Sequence, residues 1–96
     1  MDTSRIHVLA LGHQRLPLET IGRFHMDAMA MRAAGIRLQE QAGVEECFFL
    51  TTCNRAELVL EAQPERAIDV HTLLQSWRPQ MDAAGLAGVA SGVLVF

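Results

Sequence analysis

Two strand-like segments joined by a very short connection restrict the fold of this chain more than any other feature. Residues 47–51 form a continuous apolar run, which predicts a buried strand. Residues 57–62 alternate between apolar side chains and glutamates, which is typical of a strand with one buried face. Residues 52–56 leave room only for a hairpin connection between them. The chain is therefore predicted to contain an antiparallel β-hairpin.

Two segments with apolar residues at helical spacing predict helices on either side of this hairpin. The first covers about residues 24–42, with Asp27 in its first turn, and ends at Gly43. The second begins at Pro64 and is stopped by Pro79. Each helix has one apolar stripe that can cover a sheet. The stripes are Phe24, Ala28, Met31, Leu38 and Ala42 in the first helix, and Ala67, Val70, Leu74 and Trp77 in the second.

Short apolar runs at residues 6–11 and 93–96 predict a first and a last strand. Residues 12–22 and 80–92, in which glycine, proline or alanine recur, predict loops. The order strand, helix, strand, strand, helix, strand is the split βαβ, or ferredoxin-like, pattern. We therefore expect an α+β fold, with a four-stranded antiparallel sheet and both helices on one face.

Length and charge narrow the class of protein. The chain has 96 residues, which suits one domain. Its net charge is −3, and it contains arginine but no lysine. A domain that binds nucleic acid by itself is usually strongly basic, so any RNA contact here would be local. No apolar run approaches the roughly 20 residues of a membrane helix, and the start lacks the features of a signal peptide. A cytoplasmic location without membrane attachment is expected.

The two cysteines are expected to be free thiols in different settings. They lie about 20 Å apart along an extended chain, which is too far for a disulfide. Cys47 opens an apolar strand, which favours core packing. Cys53 stands where the strand enters the hairpin, and a nucleophilic thiolate there could be stabilised by Arg55. Thr52 and Asn54 could orient a carbonyl, although these residue types are also common in ordinary turns.

The segment 51–57, Thr-Thr-Cys-Asn-Arg-Ala-Glu, closely resembles the S/T-T-C-N-R-x-E signature of glutamyl-tRNA reductases. Residues 11–19 resemble the first loop of that family, with His13 four residues before Pro17. The predicted element order also matches the N-terminal domain of the family. The resemblance implies that residues 1–96 are a single N-terminal catalytic and substrate-recognition domain. The NADPH-binding and dimerisation domains would lie elsewhere in a longer enzyme.

The resemblance also implies the chemistry. The family uses NADPH to reduce glutamyl-tRNA to glutamate-1-semialdehyde through a cysteine thioester, at the start of tetrapyrrole (porphyrin) biosynthesis. Cys53 would be the nucleophile, and Thr52, Cys53, Asn54 and Arg55 would line the glutamate site. Arg55 would bind the side-chain carboxylate of the substrate. Expected partners are glutamyl-tRNA, glutamate-1-semialdehyde aminomutase, and a second subunit bound through the C-terminal domain.

The chain differs from the usual family sequence at several positions. Ile21-Gly22 replaces a usual Arg-Glu, and Ala56 and Val59 stand where Thr and Tyr are common. These departures predict a divergent member of the family and bear on its specificity for glutamate.

No G-x-G-x-x-G segment is present, so the chain by itself is not expected to bind NADPH or to complete the reaction. The four histidines lack the spacing of metal ligands, so no metal site is expected. They are His7, His13, His25 and His71. Of these histidines, only His13, in the first loop, is expected near the site.

The residue types alone are also compatible with two other functional classes. The ferredoxin-like fold hosts many non-catalytic ligand-binding and oligomerisation modules, and the fold does not choose among them. A thiol-based redox sensor that uses Cys53 would have the same exposed cysteine.

Overall fold

A computed structural model describes residues 5–63 and 69–96. Their strands pair antiparallel in one four-stranded sheet with the order β2-β3-β1-β4. The helices pack on one face of this sheet, so the predicted α+β, ferredoxin-like fold is confirmed. The strands are β1 (Arg5–Gly12), β2 (Glu46–Thr52), β3 (Arg55–Ala62) and β4 (Leu94–Val95), and the helices are α1 (Leu18–Gly22), α2 (Ala28–Ala42), α3 (Val70–Trp77) and α4 (Ala83–Ala90).

The register of the strands divides the sheet into two faces. On the face covered by the helices, Leu58 of β3 pairs with Leu9 of β1 and with Phe49 of β2. The predicted alternation of β3 is confirmed, because Leu58, Leu60 and Ala62 are buried on this face while Glu57 and Glu61 are only partly buried. The other face, which we call the open face, carries the alternate residues of each strand and is not covered by α1 to α4.

The centre of the core lies around Trp77 at the end of α3. Its ring is fully buried and lies 4.9 Å from the ring of Phe24 and 5.4 Å from that of Phe49, measured between centroids. Arg37 of α2 donates hydrogen bonds to the carbonyl oxygens of Ser76 (2.8 Å) and Trp77 (3.3 Å). These bonds satisfy carbonyls at the end of α3 that have no partner within the helix, and so they join α2 to α3.

The first long helix begins later than the sequence predicts. Asp27 is its N-cap, since its carboxylate accepts a hydrogen bond from the amide of Ala30 (2.8 Å), and α2 therefore starts at Ala28. Phe24 is buried in the core but precedes the helix, and Ala28 is exposed instead of lying in a buried stripe. The predicted end at Gly43 is confirmed, because this residue has the left-handed φ of 69° that favours glycine.

The start of the second predicted helix, at Pro64, and its stripe residue Ala67 lie outside the described residues. Asp69 has an extended backbone conformation and is the N-cap of α3, so this helix begins at Val70, inside the segment predicted as one continuous helix; it ends at Trp77, before Pro79, as predicted. Asp69 accepts hydrogen bonds from the amide of His71 (3.1 Å) and from the hydroxyl of Thr72 (2.8 Å). The hydrogen bond from Thr72 lowers the pKa of Asp69.

The two predicted loops each contain a helix, and this part of the prediction is wrong. Residues 80–92 include α4, where Asp82 is the N-cap and accepts a hydrogen bond from the amide of Gly85 (2.7 Å). Burial of Leu86 and Val89 outweighs the low helix propensity of the glycines in this segment. Residues 12–22 include the single-turn helix α1, which follows Pro17 and buries one isoleucine. The last strand is shorter than predicted, because β4 covers only Leu94–Val95.

Candidate functional site

The hairpin between β2 and β3 has a turn of two residues. Thr52 and Arg55 are paired across the two strands, so only Cys53 and Asn54 lie between them. Cys53 is an exposed free thiol. The hydroxyl of Thr52 donates a hydrogen bond to Oδ1 of Asn54 (3.3 Å), which orients the amide group beside the cysteine. Strand pairing on both sides fixes the position of this turn.

The loop after β1 is attached to the same turn. The amide of His13 donates a hydrogen bond to the carbonyl oxygen of Asn54 (3.2 Å), and Gly12 is paired with Arg55. The amides of Arg15 and Leu16 both bond to the carbonyl oxygen of Gly12, at 3.1 and 3.0 Å. The fold therefore brings together the two segments that carry the family resemblance, although residues 20–50 separate them in the chain.

A cleft of about 260 Å³ lies between the loop and the hairpin. Of the predicted site residues, Asn54 and Arg55 line it, while Thr52 and Cys53 stand next to it in strand and turn. His13 also lines the cleft, which agrees with the position expected from its loop. The complete lining is Ala10, Gly12, His13, Gln14, Arg15, Asn54, Arg55 and Leu94.

Gln14 and Arg15 are cleft residues that sequence reasoning missed. Both follow His13 in the loop, and both are exposed. Their proximity to Arg55 depends on the backbone hydrogen bond between His13 and Asn54. A backbone hydrogen bond between distant segments cannot be predicted from residue types. The only available signal was that they fall inside a segment, residues 11–19, already singled out by its resemblance to the family loop.

The charge of Arg55 is partly engaged within the protein. Its Nε forms an ion pair with Oε2 of Glu57, and the two side chains are 52% and 20% exposed. A guanidinium has five N–H donors, so one carboxylate does not exhaust it. Exposed pairs of this kind contribute only about 0–1 kcal/mol. The remaining donors can therefore bind a second carboxylate that enters the cleft.

Cys47 occupies a different environment from Cys53. It lies on the helix-covered face of β2, packs against the hydrophobic core and is near Gly35 of α2. Burial raises the pKa of the Cys47 thiol. Its predicted role in packing fits this partly buried position, and Cys53 is the more exposed of the two thiols.

Across residues 5–63 and 69–96, no three His, Cys, Asp or Glu side chains are grouped so that they could hold a metal ion. No helix within these ranges is long and apolar enough to cross a membrane.

Comparison with known proteins identifies the family. The profile described as "Glutamyl-tRNAGlu reductase, N-terminal domain" matches residues 9–91, which include both segments of the site. The chain belongs to this family. Proteins named glutamyl-tRNA reductase are similar to it: that of Akkermansia muciniphila is 31% identical over 83 residues, which are 83% of this chain and 24% of the relative. That of Rubrobacter xylanophilus is 39% identical over 64 residues, which are 67% and 15%. The glutamyl-tRNA reductase relatives are thus at least about four times longer than the part that matches.

Proposed function

We propose that this chain is the substrate-recognition part of a glutamyl-tRNA reductase, and that Cys53 is its nucleophile toward the glutamyl ester. One observation carries the proposal. An exposed thiol stands in a rigid turn, and the two residues that follow it line a cleft with a guanidinium in its wall. An accessible sulfur and a guanidinium that can bind a carboxylate therefore lie two residues apart on one hairpin, which supports covalent capture of a glutamyl group.

The proposed reaction is an acyl transfer. The Cys53 thiolate attacks the carbonyl carbon of the ester, the bond from that carbon to the terminal ribose oxygen breaks, and the oxygen leaves with a proton. The products are a glutamyl thioester on Cys53 and free tRNA. Arg55 binds the side-chain carboxylate through two N–H groups. The amide of Asn54, whose oxygen accepts from Thr52, keeps its N–H groups for the substrate.

Reduction of the thioester to glutamate-1-semialdehyde would require NADPH. The common doubly wound dinucleotide-binding fold builds its site on parallel strands with a glycine-rich turn into a helix. The described strands pair only antiparallel, and the sequence has no such glycine pattern, so these residues do not fit the cofactor. We therefore assign NADPH, the dimerisation surface and any contact with the aminomutase to parts of the longer reductase, and derive no step through them here.

The proposal is tested by single-turnover release of tRNA. Glutamyl-tRNA is incubated with an excess of the chain, and the fraction of free tRNA is followed on acid gels. Wild-type protein and Cys47→Ser should both accelerate the release of tRNA. With Cys53→Ser, the rate of release should equal the rate measured without protein. Release that is unaffected by Cys53→Ser would overturn the proposal.

A further inference from the structure

The cleft beside the hairpin contains a second guanidinium that the proposed acyl transfer does not use. Arg15 lines the wall formed by the loop after β1, whereas Arg55 lines the wall formed by the hairpin. The side chain of Arg15 is exposed and has no hydrogen bond or ion pair to any described residue, while Arg55 is paired with Glu57. All five N–H donors of Arg15 are therefore available to a ligand.

The backbone that carries this side chain is fixed on two sides. The amides of Arg15 and Leu16 both bond to the carbonyl oxygen of Gly12, which is itself paired with Arg55 on β3. On the other side, the carbonyl oxygen of Arg15 lies so near Gly92 that a Cβ there would approach it to 3.1 Å. The loop thus holds the base of the Arg15 side chain in place, which reduces the ordering that binding of a ligand would require.

The cleft is a cationic site in an acidic chain. The net charge of the chain is −3, yet the described residues that line the cleft include two arginines and no aspartate or glutamate. His13, Gln14 and Asn54 add side chains that can donate hydrogen bonds. A concave surface with two cations and several donors favours a ligand that carries more than one anionic group.

A glutamyl-tRNA has two kinds of anion, which lie on opposite sides of its reactive ester. The side-chain carboxylate is joined to the ester carbon by a short carbon chain, so its partner has to lie near the nucleophile. Arg55 meets this condition, because it is two residues from Cys53 on the same hairpin. The nearest phosphate is separated from the ester by the ribose, so its partner can lie across the cleft, as Arg15 does.

We infer that Arg15 binds the phosphate on the 5′ side of the terminal nucleotide of glutamyl-tRNA. This inference rests on the proposed function and adds a contact to the nucleic-acid part of the substrate. A guanidinium can form two parallel hydrogen bonds with a phosphate. Such contacts fix the position of a nucleic acid without reading its bases. With Arg55 on the carboxylate and Arg15 on the phosphate, the ester is held from both ends.

A thermodynamic cycle between one side chain and one phosphate tests the inference. The ligands are two analogues of the end of glutamyl-tRNA, in which glutamate is attached to adenosine through a 3′-amide; one has a 5′-phosphate and the other does not. A thiol does not cleave this amide, so binding is measured independently of whether Cys53 reacts. NMR titration gives the affinity of both analogues for the wild-type chain, Arg15→Ala and Arg55→Ala.

The 5′-phosphate should tighten binding to the wild-type chain by about tenfold, which is the effect of one charge-assisted contact. In Arg15→Ala this gain should disappear, while the affinity for the phosphate-free analogue stays unchanged. Arg55→Ala should weaken both analogues and keep the gain. Arg32→Ala, which removes an exposed arginine of α2, is the matched control and should change neither affinity.

The salt dependence of binding to whole glutamyl-tRNA gives a second readout. In Arg15→Ala, the slope of log affinity against log salt concentration should be less steep by about 0.7, because one contact with a single-stranded phosphate is lost. Arg32→Ala should have the slope of the wild-type chain. An unchanged slope in Arg15→Ala would contradict the inference.

A phosphate gain of equal size in the wild-type chain and Arg15→Ala would overturn the inference, and so would the absence of any gain, or of any binding, in the wild-type chain. Equal weakening of both analogues by Arg15→Ala would assign this side chain to the glutamyl or adenosine group and would also contradict it. Failure of the proposed function gives a different result. A chain that binds the phosphate through Arg15 but releases no tRNA would refute only the role of Cys53.

Discussion

The two cysteines differ in what they can do, and this difference is measurable residue by residue. Iodoacetamide at neutral pH should modify Cys53 and leave Cys47 nearly untouched. Cys53 is exposed, whereas Cys47 is partly buried, and this burial raises the pKa of its thiol and so lowers the fraction of reactive thiolate. Peptide mapping by mass spectrometry gives the two rates. Similar rates, or faster modification of Cys47, would contradict this assignment.

The raised pKa of Cys47 also gives the sign of a pH effect on stability. The folded state holds this proton more tightly than the unfolded state does, so the contribution is fully present below the ordinary cysteine pKa. It is lost as the pH rises through the raised pKa of the folded protein. Cys47→Ala should therefore flatten the alkaline part of the stability profile, as measured by chemical unfolding at a series of pH values.

Arg55 should dominate substrate affinity. Arg55→Ala should raise the glutamyl-tRNA concentration needed for half-maximal tRNA release by about tenfold to a hundredfold, because a charge-assisted bond is lost. Glu57→Gln should lower it slightly, since the internal competitor for the guanidinium is removed. Arg32→Ala on exposed α2 is the matched control and should have no effect. An Arg55→Ala variant with unchanged affinity would contradict the assigned role.

At the residue scale, the sequence allowed some of the site to be predicted. Thr52, Asn54 and Arg55 could be named because residues 51–57 resemble the family signature, whereas their residue types alone would also suit an ordinary turn. The ion pair between Arg55 and Glu57 could have been found as well, because residues two apart on a strand share a face. It was missed because the third strand was expected to begin at residue 57, whereas β3 begins at Arg55.

At the scale of elements, one glycine links α4 to the site loop. A Cβ on Gly92 would lie 2.6 Å from Cδ2 of Leu16 and 3.1 Å from the carbonyl oxygen of Arg15. Gly92→Ala should therefore lower the free energy of unfolding by about 1–3 kcal/mol, through overpacking. Gly88→Ala, where no atom lies within 4 Å of the new Cβ, should instead be neutral or stabilise by up to about 1 kcal/mol.

Thermal unfolding of the two glycine variants measures this contrast, and tRNA release shows whether displacement of Leu16 reaches the cleft. Equal effects of Gly92→Ala and Gly88→Ala would mean that the close approach of Gly92 to the loop does not constrain the fold.

The elements that sequence reasoning missed share a physical cause. The glycines of residues 80–92 favour a loop when propensity is considered alone, but Asp82 caps α4, and burial of Leu86 and Val89 holds it against the core. The sequence pattern predicts Asp27 in the first turn of the helix, whereas the structure has it as the N-cap of α2. In both cases an aspartate marked the start of a helix, and tertiary packing decided between helix and loop.

For the whole molecule, alternation and element order were sufficient to predict the architecture. A buried strand, an alternating strand and two apolar helical stripes leave few arrangements that bury all the apolar surfaces, and the sheet order β2-β3-β1-β4 is one of them. That the apolar side chains of the open face are exposed to solvent could not be predicted in this way. An apolar residue in a strand pattern does not reveal whether its own chain, a second copy or solvent lies over it.

The central claim is that Cys53 receives the glutamyl group, and intact-mass spectrometry of the chain after incubation with glutamyl-tRNA tests it most directly. We expect one glutamyl adduct, mapped to the peptide that contains Cys53, labile to hydroxylamine as a thioester is, present in Cys47→Ser and absent from Cys53→Ser. An adduct that persists in Cys53→Ser, or a wild-type chain that remains unmodified while its glutamyl-tRNA stays intact, would contradict the account.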